Sequence, residues 1–119
     1  MRYEYYACVT RVVDGDTLDL DVDLGLKVHH HIRVRVQGVD TPEVYGVDKE
    51  SDEFAEGIRA KRFVEAWLEA KGHNVILKTE KDRKGKYGRW IGVIWARDSD
   101  DVQGQCLNDA LRDEGWGDK

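Results

Sequence analysis

Apolar and polar residues alternate over several short stretches of the chain, which is the pattern of β-strands with one buried face. Residues 5–13 are rich in Tyr and Val and predict a first strand. The turn signal "DGDT" at 14–17 is followed by the alternating run "LDLDVDLGL". The apolar positions that we expect on the buried face of this second strand are Leu18, Leu20, Val22 and Leu24. The Asp residues between them predict a solvated face, in preference to a ladder of metal ligands.

A third alternating stretch, "HHIRVRV", follows the bend that Gly25 permits. The residues that we expect to face inward are Ile32, Val34 and Val36. Arg33 and Arg35 then take the opposite face. The run from His29 to His31 suggests a metal site or a tag remnant. Neighbouring strand residues point to opposite faces, however, so three consecutive histidines cannot all reach one ion.

The pattern becomes helical between about Ser51 and Lys71. Ser51 or Asp52 can cap the start of this helix, and Gly72 is suited to end it. Its predicted apolar stripe consists of Phe54, Ile58, Phe63, Val64, Trp67 and Leu68. We interpret the aromatic members of the stripe as core residues.

Two further strands are predicted at 74–80 and 89–96, followed by a polar loop at 97–105 and a short helix at 106–115. Three strands, a helix, two strands and a helix are the order expected of a small closed barrel of the OB type. We therefore predict an α+β, mainly β fold: a five-stranded OB-fold barrel with two to three helices packed against it, forming one domain over 1–119.

Composition agrees with a single soluble domain, at 119 residues with 40% hydrophobic and 36% charged residues. No apolar run approaches the roughly 20 residues that span a bilayer. Met1 leads directly into a strand-like sequence without the features of a signal peptide, so we expect an intracellular protein. We also expect that the protein has no membrane contact and that it is a monomer. We expect Cys8 and Cys106 to be free thiols.

The formal net charge of -5 argues against a general nucleic-acid coat protein, but the charge is unevenly distributed. Residues 81–89, "KDRKGKYGR", contain five basic residues and one acid, whereas seven acids follow from Asp98 onward. A basic loop can attract a polyanion whatever the sum of charges is. On composition alone, an ordinary solvated loop explains this segment equally well.

A set of charged residues falls in the turns and strands predicted above. Asp16 lies in the first turn, Asp40 and Glu43 follow the third strand, and Arg35 and Arg89 belong to strands. Carboxylates are ligands for a hard cation, and arginines present forked donors to phosphate oxygens. A remaining carboxylate can orient or deprotonate an attacking water. The set suits hydrolysis of a phosphodiester, and a surface ion-pair cluster is the alternative.

Four segments resemble the staphylococcal nuclease, or thermonuclease-like, domain family over almost the whole chain. They are "VVDGDTL" at 12–18, "IRVRVQGVDTPE" at 32–43, "KYGRWIGVIW" at 86–95 and "LNDALRDEGW" at 107–116. The most specific element is the five-residue step from Arg35 to Asp40 followed by "DTPE". The resemblance implies an OB-fold, calcium (Ca2+) dependence, endonuclease activity on DNA or RNA, and products with 3′-phosphate ends.

The resemblance also implies a role for individual residues. Asp16 and Asp40 resemble the calcium carboxylates, with the backbone carbonyl of Thr41 as a further ligand and Asp14 as an acid beside the metal. Glu43 resembles the general-base or water-orienting glutamate. The residues that resemble the family's phosphate-binding groups are Arg35, Arg89, Lys86 and Tyr87. Pro42 restricts the backbone of the turn that carries both Asp40 and Glu43.

The family continues beyond the last of these segments with substrate-stacking tyrosines and a final helix. This sequence stops at Lys119 with neither, so we expect weaker or altered base stacking. A second hypothesis is a noncatalytic OB-fold module that binds nucleic acid or a protein partner, because barrels of this kind often bind oligonucleotides without cleaving them. The intact set of acids and arginines favours the enzyme.

Overall fold

A computed structural model describes residues 4–44, 46–81, 90–98 and 102–117. Its strands are β1 (Glu4–Asp14), β2 (Thr17–Asp23), β3 (His29–Val36), β4 (Asn74–Lys81), β5 (Trp90–Arg97) and β6 (Gln103–Cys106). Its helices are α1 (Asp52–Lys71) and α2 (Leu107–Leu111), and a π-helical turn at Arg112–Trp116 continues α2.

The strands form a closed five-stranded barrel. Their order is β3-β2-β1-β4-β5, and a parallel pairing of β3 with β5 closes the sheet on itself. In that pairing Arg35 lies opposite Ile91 and Val36 lies opposite Gly92. β6 pairs antiparallel with β5 at Trp95 and Arg97, beyond the residues of β5 that pair with β3. The predicted α+β, mainly β barrel of the OB type is confirmed.

The inward positions of β2 and β3 fill the barrel largely as the alternation predicts. Leu18, Leu20, Val34 and Val36 are fully buried. Ile32, near the start of β3, is half-buried, and Leu24 is 49% exposed. The prediction for Leu24 is wrong because β2 ends at Asp23 and Leu24 already belongs to the connection to β3.

The long helix α1 begins and ends where its capping residues predict. The Ser51 hydroxyl accepts a hydrogen bond from the Phe54 amide, and the Gly72 amide donates to the Leu68 carbonyl. The buried residues of α1 are Gly57, Ala60, Val64, Trp67 and Leu68. The small residues among them bring the first half of the helix close to the barrel. None of the described helices is long and apolar enough to cross a membrane.

The region after β5 departs from the prediction in two ways. Part of the predicted polar loop 97–105 is strand, because Gln103 pairs with Arg97 and Cys106 pairs with Trp95. The predicted helix 106–115 is α-helical only over α2, after which the π-helical turn leads to Gly115 at φ 98°. Cys8 and Cys106 are both free thiols, as predicted.

Candidate functional site

Asp16 is the most buried acid among the described residues that the sequence predicts for the site, with 9% of its surface exposed. It lies in the two-residue turn between β1 and β2. Its Oδ1 accepts a hydrogen bond from the Thr17 hydroxyl at 3.1 Å, and its Oδ2 accepts one from the Thr41 amide at 3.3 Å. The Asp16 carbonyl also accepts the Val36 amide at 2.8 Å. These contacts fix the carboxylate beside the end of β3.

Burial raises the pKa of Asp16 above its ordinary value of 3.8, because desolvation disfavours the ionised form. The hydrogen bonds from Thr41 and Thr17 and the positive charge of Arg35 oppose this rise in the pKa, whereas the charge of Asp14 adds to it. The ionised carboxylate therefore lacks sufficient positive charge around it, and a cation placed there would be stabilised.

The turn at 39–44 is held at several points along its length. The Asp14 carboxylate accepts the Val44 amide at 3.1 Å, and Asp16 accepts the Thr41 amide. At the start of the turn, the Asp40 amide donates to the Trp116 carbonyl at 2.9 Å. All of these bonds are donated by backbone amides of the turn. They therefore fix its backbone without using the Asp40 and Glu43 side chains.

Arg35 lies on the outer face of β3, between the inward-facing Val34 and Val36. Its Cα is paired with that of Thr17, next in sequence to Asp16. The Arg35 guanidinium donates through Nη2 to the Val39 carbonyl at 3.5 Å, and its charge acts on the Asp16 carboxylate. The arginine is therefore half-buried beside both the acid and the turn.

An open pocket of about 400 Å³ lies at this turn. It is lined by Asp40, Thr41, Pro42 and Glu43, together with Glu53 from the first turn of α1. Of the predicted residues, Thr41 thus donates its amide to Asp16, and the charge of Arg35 acts on Asp16. Asp40 and Glu43 line the pocket together with Thr41. Lys86, Tyr87 and Arg89 lie outside the described residues.

Two glycines bring the helix and the first turn close to the pocket. A Cβ added at Gly57 would lie 2.9 Å from the Pro42 carbonyl oxygen and 3.1 Å from that of Glu43. A Cβ added at Gly15 would lie 2.6 Å from the Ala60 Cβ. These separations leave no room for a side chain at either glycine, so α1 supports the backbone of the 39–44 turn directly.

The segment after β6 supports the same turn from the other side. The Trp116 indole donates to Glu56 at 3.0 Å, and its ring packs edge-on against Phe63 with centroids 5.7 Å apart. A bridge pairs Val39 with Gly117. The Trp116 backbone that receives the Asp40 amide is therefore anchored to α1 through the Trp116 side chain.

Asn108 and Arg112 fix the residues between Arg35 and Asp40. The buried Asn108 side chain donates to the Gln37 carbonyl at 2.8 Å and accepts the Ile94 amide at 3.0 Å. Arg112 donates to the carbonyls of Gln37 and Gly38 at 3.2 and 3.3 Å. Sequence reasoning missed the contacts that α1, Asn108 and Arg112 make with residues 37–44. Two features of the sequence indicate them: Gly57 lies inside a helix, and Asn108 lies on an apolar helix.

The donor set at Asp16, Asp40 and the Thr41 carbonyl consists of oxygens alone, which suits a hard cation such as calcium. The buried Thr41 hydroxyl has no hydrogen-bond partner among the described residues, so its oxygen is available to a cation or to a water molecule. Within the described part of the chain, no three His, Cys, Asp or Glu side chains are gathered at metal-binding distances. The residues fit a cation held by a few protein oxygens and water.

Comparison with known proteins identifies a family for the chain. Residues 33–117 match the family described as "Staphylococcal nuclease homologue". The chain is 35% identical over 98 residues to the thermonuclease of Staphylococcus intermedius and 30% identical over 107 residues to that of Staphylococcus hyicus. It is 31% identical over 94 residues to an endonuclease of Bacillus subtilis (strain 168).

These alignments cover most of the chain but only part of each relative. They include 82% of the chain for the first thermonuclease, 90% for the second and 76% for the endonuclease. The chain spans 52% and 54% of the two thermonucleases, about half their length, and 7% of the endonuclease.

Proposed function

Because the chain belongs to the staphylococcal nuclease family, we propose that it is a calcium-dependent endonuclease that hydrolyses phosphodiester bonds of DNA or RNA. The observation that carries the proposal is the convergence of Asp16, Arg35 and the 39–44 turn at one end of the barrel. A buried acid, a guanidinium and a pocket lined by three further carboxylates are groups that can bind a cation, stabilise a phosphate and orient an attacking water.

Asp16, Asp40 and the Thr41 carbonyl would hold the calcium ion, with Asp14 beside them fixing the Val44 amide. A bound ion supplies positive charge that stabilises the additional negative charge of the phosphate in the transition state. The same charge favours ionised Asp16, whose burial otherwise raises its pKa. Binding of the ion and ionisation of this carboxylate therefore support each other.

Glu43 orients the attacking water at the rim of the pocket and accepts its proton as the new P–O bond forms. Arg35 is fixed on β3 beside Asp16, so its N–H groups can be directed at the non-bridging phosphate oxygens without reorganisation. The 5′ oxygen leaves with the bonding electron pair and takes up a proton, which gives a 3′-phosphate and a 5′-hydroxyl. We assign stabilisation of the leaving oxygen to Arg89 and phosphate contacts to Lys86 and Tyr87.

The pocket is open and the protein is acidic overall, with a formal charge of -5. An open site at a turn admits a single strand more readily than a duplex, whose phosphates are held in helical register. We therefore propose that single-stranded or frayed segments are the preferred substrates. Weak substrate binding by an acidic protein should appear as a high KM, and the dependence of KM on salt should report how many phosphates its Lys and Arg residues contact.

The decisive experiment is cleavage of 5′-labelled single-stranded DNA and RNA of defined sequence, with calcium and with excess chelator. We expect calcium-dependent fragments whose mobility changes on phosphatase treatment, as a 3′-phosphate requires. Glu43→Gln should lower kcat by about 10²-fold or more, the order of a lost catalytic acid–base group. Glu53→Gln is the matched control, because Glu53 lines the same pocket from α1 and has no assigned role.

Equal losses in the Glu43 and Glu53 variants would remove the assignment of Glu43. Absence of calcium-dependent products from clean protein would contradict the nuclease itself. If the protein then shifted a labelled oligonucleotide in a gel without cutting it, the noncatalytic binding module would be the better account.

A further inference from the structure

Asn108 is a buried polar residue to which the proposed mechanism gives no role. Among the described residues, the other buried polar side chains are Asp16, Thr17 and Thr41, and all three belong to the candidate site. Asn108 lies within α2 and has 1% of its surface exposed. A buried amide destabilises a fold unless its donors and its acceptor find partners. The partners of Asn108 therefore show what the residue does.

Both N–H groups of the Asn108 side chain are used. It donates to the Gln37 carbonyl at 2.8 Å and to the Gly92 carbonyl at 3.2 Å. Its side-chain oxygen accepts the Ile94 amide at 3.0 Å. One side chain therefore joins the residue that follows β3 to two residues of β5.

These hydrogen bonds lie where the barrel closes. The parallel ladder of β3 and β5 pairs residues 34–36 with residues 90–92. The Gln37 amide continues this ladder by donating to the Gly92 carbonyl at 2.9 Å. Parallel pairing is slightly less stable per residue than antiparallel pairing, so a short parallel ladder gains from a side chain that holds its end.

Arg35 belongs to this short ladder. Its guanidinium donates to the Val39 carbonyl at 3.5 Å, so its direction depends on the backbone just beyond Gln37. The 39–44 turn also has supports of its own, in the bonds that its amides donate to the Asp14 and Asp16 carboxylates. Loss of the Asn108 hydrogen bonds should therefore displace the guanidinium more than the acids of the site.

We propose that Asn108 is a positioning residue for phosphate binding, because it fixes the end of β3 and thereby the direction of the Arg35 guanidinium. The inference rests on the proposed function, in which Arg35 contacts the non-bridging phosphate oxygens. Displacement of a catalytic group by about 1 Å can lower a rate by about 10²-fold. Asn108 is buried, so it acts on the reaction through the backbone that it holds.

The test is a kinetic comparison of Asn108→Ala, Arg35→Lys and the double variant at saturating calcium. Asn108→Ala should lower kcat by about 10-fold to 10²-fold. Both changes act on the same guanidinium, so the double variant should be little slower than Arg35→Lys alone, instead of showing the product of the two losses. The calcium-linked rise in Tm should be retained in Asn108→Ala, because the acids have other supports.

Val75→Ala is the control for a general loss of stability. Val75 is fully buried on β4, which pairs with β1 and β5. Measured at a temperature where it is folded, this variant should keep the parent kcat. A kcat of Asn108→Ala equal to that of Val75→Ala would overturn the proposal, as would multiplicative losses in the double variant. If Asn108→Ala does not fold, Asn108→Ser, which can donate one of the two bonds, serves in the same comparison.

Amide hydrogen exchange separates this proposal from the proposed function. In Asn108→Ala, the Gln37 and Ile94 amides should exchange at least about 10-fold faster relative to the amides of β1 and β2. Unchanged relative exchange at Gln37 would overturn the proposal whether or not the protein cleaves nucleic acid. If exchange changes as expected but the parent protein does not cleave, the proposed function fails and the role of Arg35 fails with it.

Discussion

The two ends of the β2–β3 hairpin differ in what holds them in place. At one end, amides of the 39–44 turn that follows β3 donate hydrogen bonds to the Asp14 and Asp16 carboxylates and to the Trp116 carbonyl. At the other end, the hydrogen bonds that the structure gives for the connection are local, made among its own residues and to Asp23 at the end of β2. The Leu24 amide donates to Val28 at 2.8 Å, and the Val28 amide donates to Gly25 at 2.9 Å.

The side chains show the same contrast. Val39 and Thr41 are buried, whereas Leu26 is 99% exposed and adopts φ 53°. This left-handed conformation costs a non-glycine residue about 1–2 kcal/mol. Because the connection is held locally, its sequence can vary with little effect on the rest of the fold. The 39–44 turn, in contrast, depends on contacts with four separate segments: the first turn at 14–16, Arg35 of β3, Gly57 of α1, and residues 116–117. The comparison predicts that substitutions near the turn affect cleavage and that substitutions in the β2–β3 connection do not.

The largest effect should come from Arg35→Lys, which keeps the charge but loses the planar fork of donors. We expect kcat to fall by about 10²-fold or more, with little change in the free energy of unfolding. The matched control is Arg33→Lys, on the same face of β3 but paired with Asp19 and half exposed. Steady-state kinetics at saturating calcium compare the two, and similar rates in both variants would contradict the role of Arg35.

Asp16→Asn should abolish the calcium-linked rise in Tm. In chelator, a second effect follows from the raised pKa of Asp16. As pH rises from the ordinary pKa of 3.8 through the higher folded value, the folded protein holds a proton that the unfolded chain releases, so stability falls. The Asn variant lacks this loss and should be more stable than the parent at pH 7.

Chemical denaturation in chelator at several pH values, taken as the difference between variant and parent, isolates the contribution of this carboxyl. If the stability of Asp16→Asn relative to the parent protein does not grow as the pH rises above 3.8, burial does not raise the pKa of Asp16.

Gly57→Ala should have an intermediate effect, because its Cβ would meet the Pro42 and Glu43 carbonyl oxygens at 2.9 and 3.1 Å. Overpacking of this kind costs about 1–3 kcal/mol, more than the roughly 1 kcal/mol that alanine gains in a helix. We also expect lower kcat, because Glu43 moves with the turn. Ala66→Gly, at an exposed position of α1, should lose about 1 kcal/mol of stability and retain kcat.

The smallest effect should come from Leu26→Gly. Glycine relieves the left-handed strain, but it also has greater freedom in the unfolded chain. The free energy of unfolding should therefore rise by about 0.5–1 kcal/mol. Cleavage should be unchanged. Denaturation and kinetics on the same preparation check both expectations, and a changed kcat would show that the two ends of the hairpin are coupled.

The regular elements were predictable where a local pattern determines them. The two-residue period placed Val34 and Val36 inside and Arg35 outside, and the caps at Ser51 and Gly72 bounded α1. β6 was missed because "QGQC" is polar and pairs only with the edge of β5, so no alternation marks it. Leu24 was misplaced because the alternation continues in the sequence beyond the last residue of the strand.

The candidate site was predictable through the family resemblance, which named Asp16, Arg35, Asp40, Thr41 and Glu43. Its supports were not, because each depends on an approach between distant segments. Gly57 contacts the carbonyls of Pro42 and Glu43, and the Trp116 carbonyl accepts the Asp40 amide. No local periodicity encodes such contacts. The roles assigned to these five site residues stay predictions, as do those of Lys86, Tyr87 and Arg89.

The bridge between Val39 and Gly117, with the neighbouring Asp40–Trp116 bond, has a consequence during biosynthesis. A ribosome adds about 5–20 residues per second, so residues 39 and 40 leave it several seconds before residue 117 can reach them. Until then, the turn that bears Asp40 and Glu43 lacks one side of its support. On the proposed function, a nascent chain should cleave nucleic acid only after residue 117 has left the ribosome.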